Sequence, residues 1–386
     1  MILMHKNIPV AKIKLVNNIP IFYEEIINKE HLPIGTKGNG PEQDKILLNH
    51  WYQSRSIPNL RPNLSNIEKS IGLSKTEAFI KSAGVSITDT YWLKEKDQNI
   101  IWENINYHDN GFSPIFADYY ANNKLNFAPS PDFTTDGIME KFWLPVAGQP
   151  HLFKFDTQYN NILCANEIVY FKIADALGIK TTPYFSGKSE IGNYCFCPCF
   201  LNKSDCDFIN AMQIKHSPDK TNIGTLYFTK TGEKLIRYFM NELGFERQIK
   251  EMITLDCLFH NTDRHERNFG YILFEDGTKE FVPLFDNSYC LGVNRDEYHL
   301  MTDGDMKLFS QQRNKILEEY GITISLDENF CFNILESAYQ EFDIPEKRYE
   351  IAKEELEFGI SLMKQNRIKI FPGYESSYSE IDTERE

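Results

Sequence analysis

Across residues 246–259 apolar side chains recur at Ile249, Met252, Ile253, Leu255 and Leu258. That spacing is close to the 3.6-residue period of a helix and predicts one, ending at the polar run Asn261-Thr262-Asp263-Arg264-His265-Glu266-Arg267-Asn268. Past the run, Tyr271-Ile272-Leu273-Phe274 predicts a strand, Glu275-Asp276-Gly277-Thr278 a hairpin turn, and Phe281-Val282-Pro283-Leu284-Phe285 the returning strand. A hairpin of this length carries Asp286 back beside Asn268.

The same reading applied upstream predicts a short alternating strand, His151-Leu152-Phe153-Lys154-Phe155, in which Lys154 faces away from its two phenylalanine neighbours. A helix is predicted over 161–177, with Ile162, Ala165, Val169, Ile173, Ala176 and Leu177 on one stripe and Gly178 as its stop. Residues 193–201 read as a strand, and 326–367 as two helices carrying Ile351, Leu356, Ile360, Leu362 and Met363. Towards the start, the turn-rich stretch from Gly35 to Pro41 precedes a helix over 44–54 with Ile46, Leu47, Trp51 and Tyr52. Two shorter helices follow over 64–71 and 75–83, joined at Gly72-Leu73-Ser74.

The polar run has a chemistry of its own. An acid, an amide five positions on, and a second acid after a hairpin are the groups that phosphoryl transfer from a magnesium nucleotide requires. Asp263 is then placed to accept or orient the proton of the attacking hydroxyl, and Asn268 with Asp286 to supply the hard oxygen ligands that Mg²⁺ favours. Arg264 and His265 add positive or hydrogen-bonding character beside Asp263, either to contact the transferred phosphate or to fix the loop. A solvated polar loop explains any one of these residues; it explains the joint pattern poorly.

These residues resemble the HipA-like serine/threonine kinases of bacteria, whose catalytic loop reads Asn-x-Asp-x-His-x-x-Asn. The pattern falls on Asn261, Asp263, His265 and Asn268, with the metal-binding acid matched by Asp286. The resemblance runs over roughly residues 130 to 365. It implies an α+β, two-lobed protein-kinase-like fold with a small β-rich N-lobe and a mostly helical C-lobe, ATP and Mg²⁺ as cofactors, and transfer to a serine or threonine of a protein substrate. By the same resemblance Lys154 binds the phosphates, Glu167 of the pair Asn166-Glu167 holds Lys154, and Thr135 and Gly137 lie in the phosphate-covering loop. Residues 199–202 become the hinge, with Cys199 and Leu201 offering backbone groups to the adenine.

The expected division is an accessory or docking region over 1–125, the N-lobe over 126–202, the C-lobe over 203–372 and a disordered acidic tail over 373–386. The family can inactivate itself by phosphorylating its phosphate loop, where this chain has Ser130, Thr134 and Thr135. Two departures stand out. Gly137 is the single glycine of that loop, and Asn287-Ser288 stand where a glycine usually follows the metal acid.

Composition narrows the alternatives. A chain of 386 residues, 41% hydrophobic and 13% aromatic, has ample material for a two-lobed core and an added region. Its net charge of −14 argues against unspecific attraction to nucleic acid or an anionic membrane, so a protein substrate and an antitoxin-like regulatory protein are the expected partners. The opening Met1-Ile2-Leu3-Met4-His5-Lys6 does not read as a secretory leader, and no apolar run has the length of a membrane span; a cytoplasmic location is expected. The eight cysteines fit free thiols. Cys195, Cys197, Cys199 and Cys206 are too widely set along a strand for a compact zinc tetrahedron.

Three rivals remain. The pair of helices over 64–83 has the outline of a helix-turn-helix, but only Lys75 and Lys81 are basic in its second helix, so packing or substrate docking is preferred. The aromatic stretch Tyr91, Trp92, Trp102, Tyr107, Phe112 and Phe116 is expected to dock onto the N-lobe. Asp263-Arg264-His265 with Asn268 also matches phosphoinositide kinases, although Asn287-Ser288-Tyr289 offers no basic loop for an anionic headgroup. A nucleotide-binding regulator without transfer activity, acting with a partner protein, is the third.

Overall fold

The computed structural model describes residues 1–122, 126–190, 192–201, 203–214, 230–295 and 304–366. The expected tail over 373–386 lies outside them. The chain begins with β1 (Ile2–His5), β2 (Ile8–Val16) and β3 (Ile19–Ile26), a meander that β4 (Tyr91–Lys94) completes in the antiparallel order β3-β2-β1-β4. This sheet is not among the expected elements, although Ala11, Ile13 and Leu15 alternate with Lys12 and Lys14 along β2. A further signal lies in the turns: Asn17 and Asn18 connect β2 to β3 with φ of 52° and 61°, the left-handed pair that a two-residue hairpin needs and that asparagine tolerates.

Helix α1 (Pro41–Gln53) lies on this sheet, burying Leu47, Leu48, Trp51 and Tyr52. It starts three residues before the predicted 44 because a proline is tolerated at a helix's first position. Helices α2 (Leu64–Ile71) and α3 (Lys75–Lys81) follow, α3 opened by a reciprocal capping box between Ser74 and Glu77. Both are committed to packing. Ile67 and Ala78 join a core with Phe116, Phe133 and Phe142, and Phe79 meets Tyr52 edge-on at 4.9 Å. Two short helices, α4 (Tyr107–Asn110) and α5 (Ile115–Asn122), finish this region.

The central sheet, antiparallel in the order β5-β6-β8-β7, contains β5 (Glu140–Val146), β6 (Gln149–Phe155), β7 (Phe185–Ser189) and β8 (Gly192–Pro198). Its two faces differ sharply. One row places Phe142, Phe153, Phe196 and Phe185 side by side, with Phe142–Phe153 and Phe153–Phe196 stacked at 5.8 and 4.9 Å, and buries Phe142 and Phe153 against α5 and Phe133. The next row, Lys141, Lys154 and Cys195, faces the other way, toward α6 (Ile162–Ala176). Trp92, Trp102 and Tyr107 pack with Trp143 of β5, so the aromatic stretch does sit on this lobe.

The second lobe is mostly helical. After β9 (Cys206–Asn210), α7 (Ala211–Ile214) and α8 (Lys230–Arg237), helix α9 (Glu246–Phe259) runs through its centre. Strand β10 (Gly270–Phe274) pairs with β9 on one side and β11 (Lys279–Phe281) on the other, and α10 (Gly304–Tyr320), α11 (Glu328–Glu341) and α12 (Glu346–Gln365) close the lobe. The returning strand ends at Phe281 instead of running to 285. Pro283 has no N–H to offer β10, and Leu284 instead pairs in parallel with Thr181. This detour brings Asp286 under the central sheet. Together these parts form the two-lobed, protein-kinase-like α+β fold. Among the described residues no helix is long and apolar enough to cross a membrane.

Where α12 crosses α9, a side chain at Gly359 would place its Cβ 1.9 Å from the Leu258 carbonyl oxygen. That contact is with backbone and cannot rotate away. Gly359→Ala is expected to lower the unfolding free energy by about 1–3 kcal/mol; denaturant unfolding at unchanged slope checks it, and a loss below the experimental error refutes it.

Candidate active site

The catalytic-type loop is shaped by the end of α9. The helix stops at His260, whose φ of 54° turns the chain back, and Asn261 N–H returns to the Asp256 carbonyl at 2.9 Å. Asp256 and Arg264 are both wholly buried and form a two-pronged ion pair, Nε to Oδ2 at 2.9 Å and Nη2 to Oδ1 at 3.0 Å. Arg264 Nη1 also donates to the carbonyls of Asn268 and Phe285, and Nη2 to Asn287 Oδ1 at 2.5 Å. Of the two roles left open for Arg264, these contacts exclude a direct one on phosphate: the guanidinium is the internal pin of the loop. Nothing in the local sequence marks Asp256 as its partner.

Pinned this way, the loop presents Asp263 and Asn268 separately. The Asp263 backbone N–H donates to Asn261 Oδ1 at 3.1 Å, and its carbonyl accepts from Asn268 Nδ2 at 3.0 Å. With its nitrogen so engaged, Oδ1 is the side-chain atom of Asn268 that could hold a cation. The Asp263 side chain is 42% exposed. Burial of its surroundings, then the charge of Asp286, raises its carboxyl to about 7. His265 Nε2 is 4.0 Å away; burial, then Arg267, lowers its imidazole to about 4, so it is neutral near physiological pH.

Lys154 lies at the bottom of the cleft, 2% exposed, with Nζ 2.7 Å from Glu167 Oε1, 2.9 Å from Asp286 Oδ1 and 3.1 Å from the Tyr184 hydroxyl. Burial opposes its charge, but the carboxylates of Asp286 and Glu167 outweigh it and hold the ammonium protonated. The same balance, led by burial and overturned by Lys154 and Lys141, keeps the Asp286 carboxyl well below its ordinary range. Asp286 itself has a φ of 55°. The chain after it needs no glycine: Asn287 N–H donates to Glu167 Oε2 at 3.0 Å, its side chain receives Arg264, and Asn166 Nδ2 holds the carbonyls of Ser288 and Cys290.

Lys154, Tyr184, His265, Asn268 and Asp286, but not Asp263 or Glu167, border a cavity of about 210 Å³ with Ile87, Trp143, Leu152 and Phe208 among its apolar walls. Thr135 and Gly137 line it as expected positions, and Cys199 does so on the hinge side next to Pro198 and Phe200. Leu201 does not. Its side chain is buried with Cys206, Ile272 and Val282, whereas Phe200 does line the cavity. The Cys199 N–H is also taken, donating to the Pro150 carbonyl at 2.8 Å. Asn202, the far end of the expected hinge, lies outside the described residues.

Several groups were not foreseen. Lys141 sits opposite Lys154 in the β5–β6 register, and burial pushes it down to about 8; its matching parity across the Ala147-Gly148 turn was a readable signal. Tyr184 and the Arg267–Asp136 pair line the cleft, and Arg61 binds the carbonyls of Thr135, Asp136 and Gly137, through contacts between segments far apart in the chain that left no such signal.

The donor set suits a magnesium nucleotide. Asn268 and Asp286 provide two oxygen-bearing groups, few enough to leave the remaining positions to phosphate and water, as Mg²⁺ prefers. Buried ammonium groups from Lys154 and Lys141 lie beside them.

A family model described as HipA-like C-terminal domain matches residues 133–343. Among solved structures, the chain is similar to HipA of Shewanella oneidensis MR-1, from the complex of the toxin–antitoxin proteins HipA and HipB with their operator DNA. That likeness has 12% identity and a TM-score of 0.54, and covers 94% of this chain and 96% of the other. A second is the proinflammatory kinase CtkA of Helicobacter pylori, with 16% identity, a TM-score of 0.39, and coverage of 59% and 95%. No curated protein matches the chain.

Proposed function

Because the chain belongs to the family of HipA-like C-terminal domains, we propose that it is an ATP- and Mg²⁺-dependent kinase acting on serine or threonine hydroxyls of a protein. The observation that carries this is Lys154, buried between Glu167 and Asp286 in a cavity that also holds Asn268. The magnesium nucleotide, when bound, supplies the phosphoryl group and a cation that neutralises its charge. Asn268 and Asp286 would hold the cation, Lys154 and Lys141 the phosphates, and Glu167 keeps Lys154 in place. Asp263 takes or orients the proton of the acceptor hydroxyl, and neutral His265 borders it without adding charge.

In this reading residues 126–202 and 203–372 are the two lobes and 1–125 a docking region. A regulatory protein partner belongs to the proposal, since the similar HipA was found with HipB and operator DNA. With a net charge of −14 the present chain is poorly suited to contact DNA alone, so that task would fall to the partner. Self-phosphorylation is proposed for 130–135, with a structural condition. Ser130 and Thr134 are buried, and Ser130 Oγ donates to Asp132 at 3.0 Å. The segment must leave its seat to be modified, and a phosphate would then be repelled from Asp132.

The test is transfer of labelled phosphate from ATP with Mg²⁺ to the protein itself and to a generic basic protein. Label on either supports the proposal. Nucleotide binding without label in any acceptor sinks it.

The raised carboxyl of Asp263 adds a pH signature. A base must be deprotonated, so kcat/KM is expected to rise with pH through about 7 and level off above it. His265, near 4, adds no inflection in that range. A flat profile from pH 6 to 8 under chemistry-limited conditions would contradict the assignment of the base.

A further inference from the structure

The segment over residues 134–137 borders the cavity with one glycine, and its shape is set by a residue of the N-terminal region. Arg61, 3% exposed, donates from Nη2 to the carbonyls of Thr135, Asp136 and Gly137 at 2.7, 3.0 and 2.7 Å, and from Nε to Gly137 at 3.0 Å. In a trans peptide the C=O and the following N–H point in opposite directions. Three successive carbonyls drawn toward Arg61 therefore turn the next amide N–H groups to the opposite side, an arrangement that favours an anion.

One of these N–H groups has an anion already. Gly137 N–H donates to Asp136 Oδ1 at 2.7 Å, while Asp136 Oδ2 lies 2.5 Å from Nη1 of Arg267 in the catalytic-type loop. Asp136, Gly137 and Arg267 border the same cavity as Lys141, Lys154 and Asp286. The Lys141 ammonium is against Gly137, where an added Cβ would meet it at 2.2 Å. The carboxylate of Asp136 thus joins the two lobes across the cleft, held by an amide N–H and a guanidinium, two donors that also suit a phosphate oxygen.

We propose that Asp136 is an internal occupant of an anion position in the cleft, and that the phosphates of an incoming nucleotide bind there only by displacing its carboxylate from Gly137 and Arg267. The inference rests on the reading of the cleft as a nucleotide site. It makes Asp136 a gate on affinity: with the carboxylate in place, each entering phosphate meets a negative charge and loses Arg267 as a donor. The pair is a quarter to a third exposed, so its loss costs little and the gate opens readily. The barrier acts on anionic charge, so it falls on inorganic polyphosphate as well as on nucleotide.

The test is calorimetric titration of the full chain with ATP·Mg²⁺ and, separately, with inorganic tripolyphosphate. Asp136→Asn keeps an acceptor for the Gly137 N–H and removes the charge that holds Arg267. Its affinity for both ligands is expected to rise by about three- to tenfold. Asp136→Ala, with the acceptor gone as well, is expected to shift the same way, and thermal unfolding of both variants establishes that they are folded. If the folded variants bind ATP no better than the wild type, or more weakly, Asp136 closes the loop onto the ligand and the inference is overturned while the nucleotide site stands. If the wild type binds ATP with no loss in Lys154→Met, the cleft is not the nucleotide site, and both readings fall.

Discussion

Asp263→Asn is expected to lower the turnover of phosphoryl transfer by about 10²- to 10⁴-fold while leaving the fold and nucleotide affinity in place. The separation of effects follows from which atoms do what. The contacts of Asp263 that shape the loop, to Asn261 Oδ1 and from Asn268 Nδ2, use its backbone N–H and carbonyl. An asparagine keeps them. Only the carboxylate is lost, and with it the group able to take the acceptor's proton.

Stability offers a second readout. Because the folded protein raises this carboxyl to about 7, above the range of an unfolded aspartate, the ionised form is disfavoured by folding. Any contribution to stability is present at low pH and is lost as pH rises through 7. At pH 8 the asparagine variant should therefore melt at the same temperature as the wild type or higher. Retained turnover would move the role of base away from Asp263; lost turnover with a large fall in melting temperature would make the residue a structural one.

The second large effect lies beneath the loop. Arg264→Met removes one half of the Asp256–Arg264 pair and leaves a carboxylate with no exposure and without its principal counter-charge. Such a break costs about 3–5 kcal/mol, mostly the desolvation of the charge left behind. Denaturant unfolding is expected to show that loss, together with the disappearance of transfer activity, since the carbonyls of Asn268 and Phe285 and the side chain of Asn287 lose their common donor. Asp256→Leu combined with Arg264→Met should recover part of the stability and none of the activity. A cost below about 1 kcal/mol for the single change would mean that Arg264 is not the pin of the loop.

The two predictions separate residues that the sequence placed side by side. Asp263 and Arg264 are neighbours in one polar run, yet the side chain of the first is 42% exposed and that of the second is sealed inside the lobe. Charge and position in the motif do not distinguish them; burial does.

What the sequence determined by itself is whatever depends on near neighbours along the chain. The helical periods that became α6 and α9, the alternation that turned Lys154 away from Phe153 and Phe155, and the acid–amide–acid order of Asp263, Asn268 and Asp286 are all local patterns. The division into a β-rich first lobe and a mostly helical second lobe was implied by the family resemblance those residues carry, not by the periods themselves. The tertiary structure decided the rest because the contacts span large separations: Arg61 to Gly137, Lys154 to Asp286, and Arg267 to Asp136 are each more than seventy residues apart. No local pattern encodes which buried arginine meets which carbonyl or carboxylate. It is settled only when packing removes water from both partners, so that an unpaired charge becomes costly and a single arrangement satisfies them all.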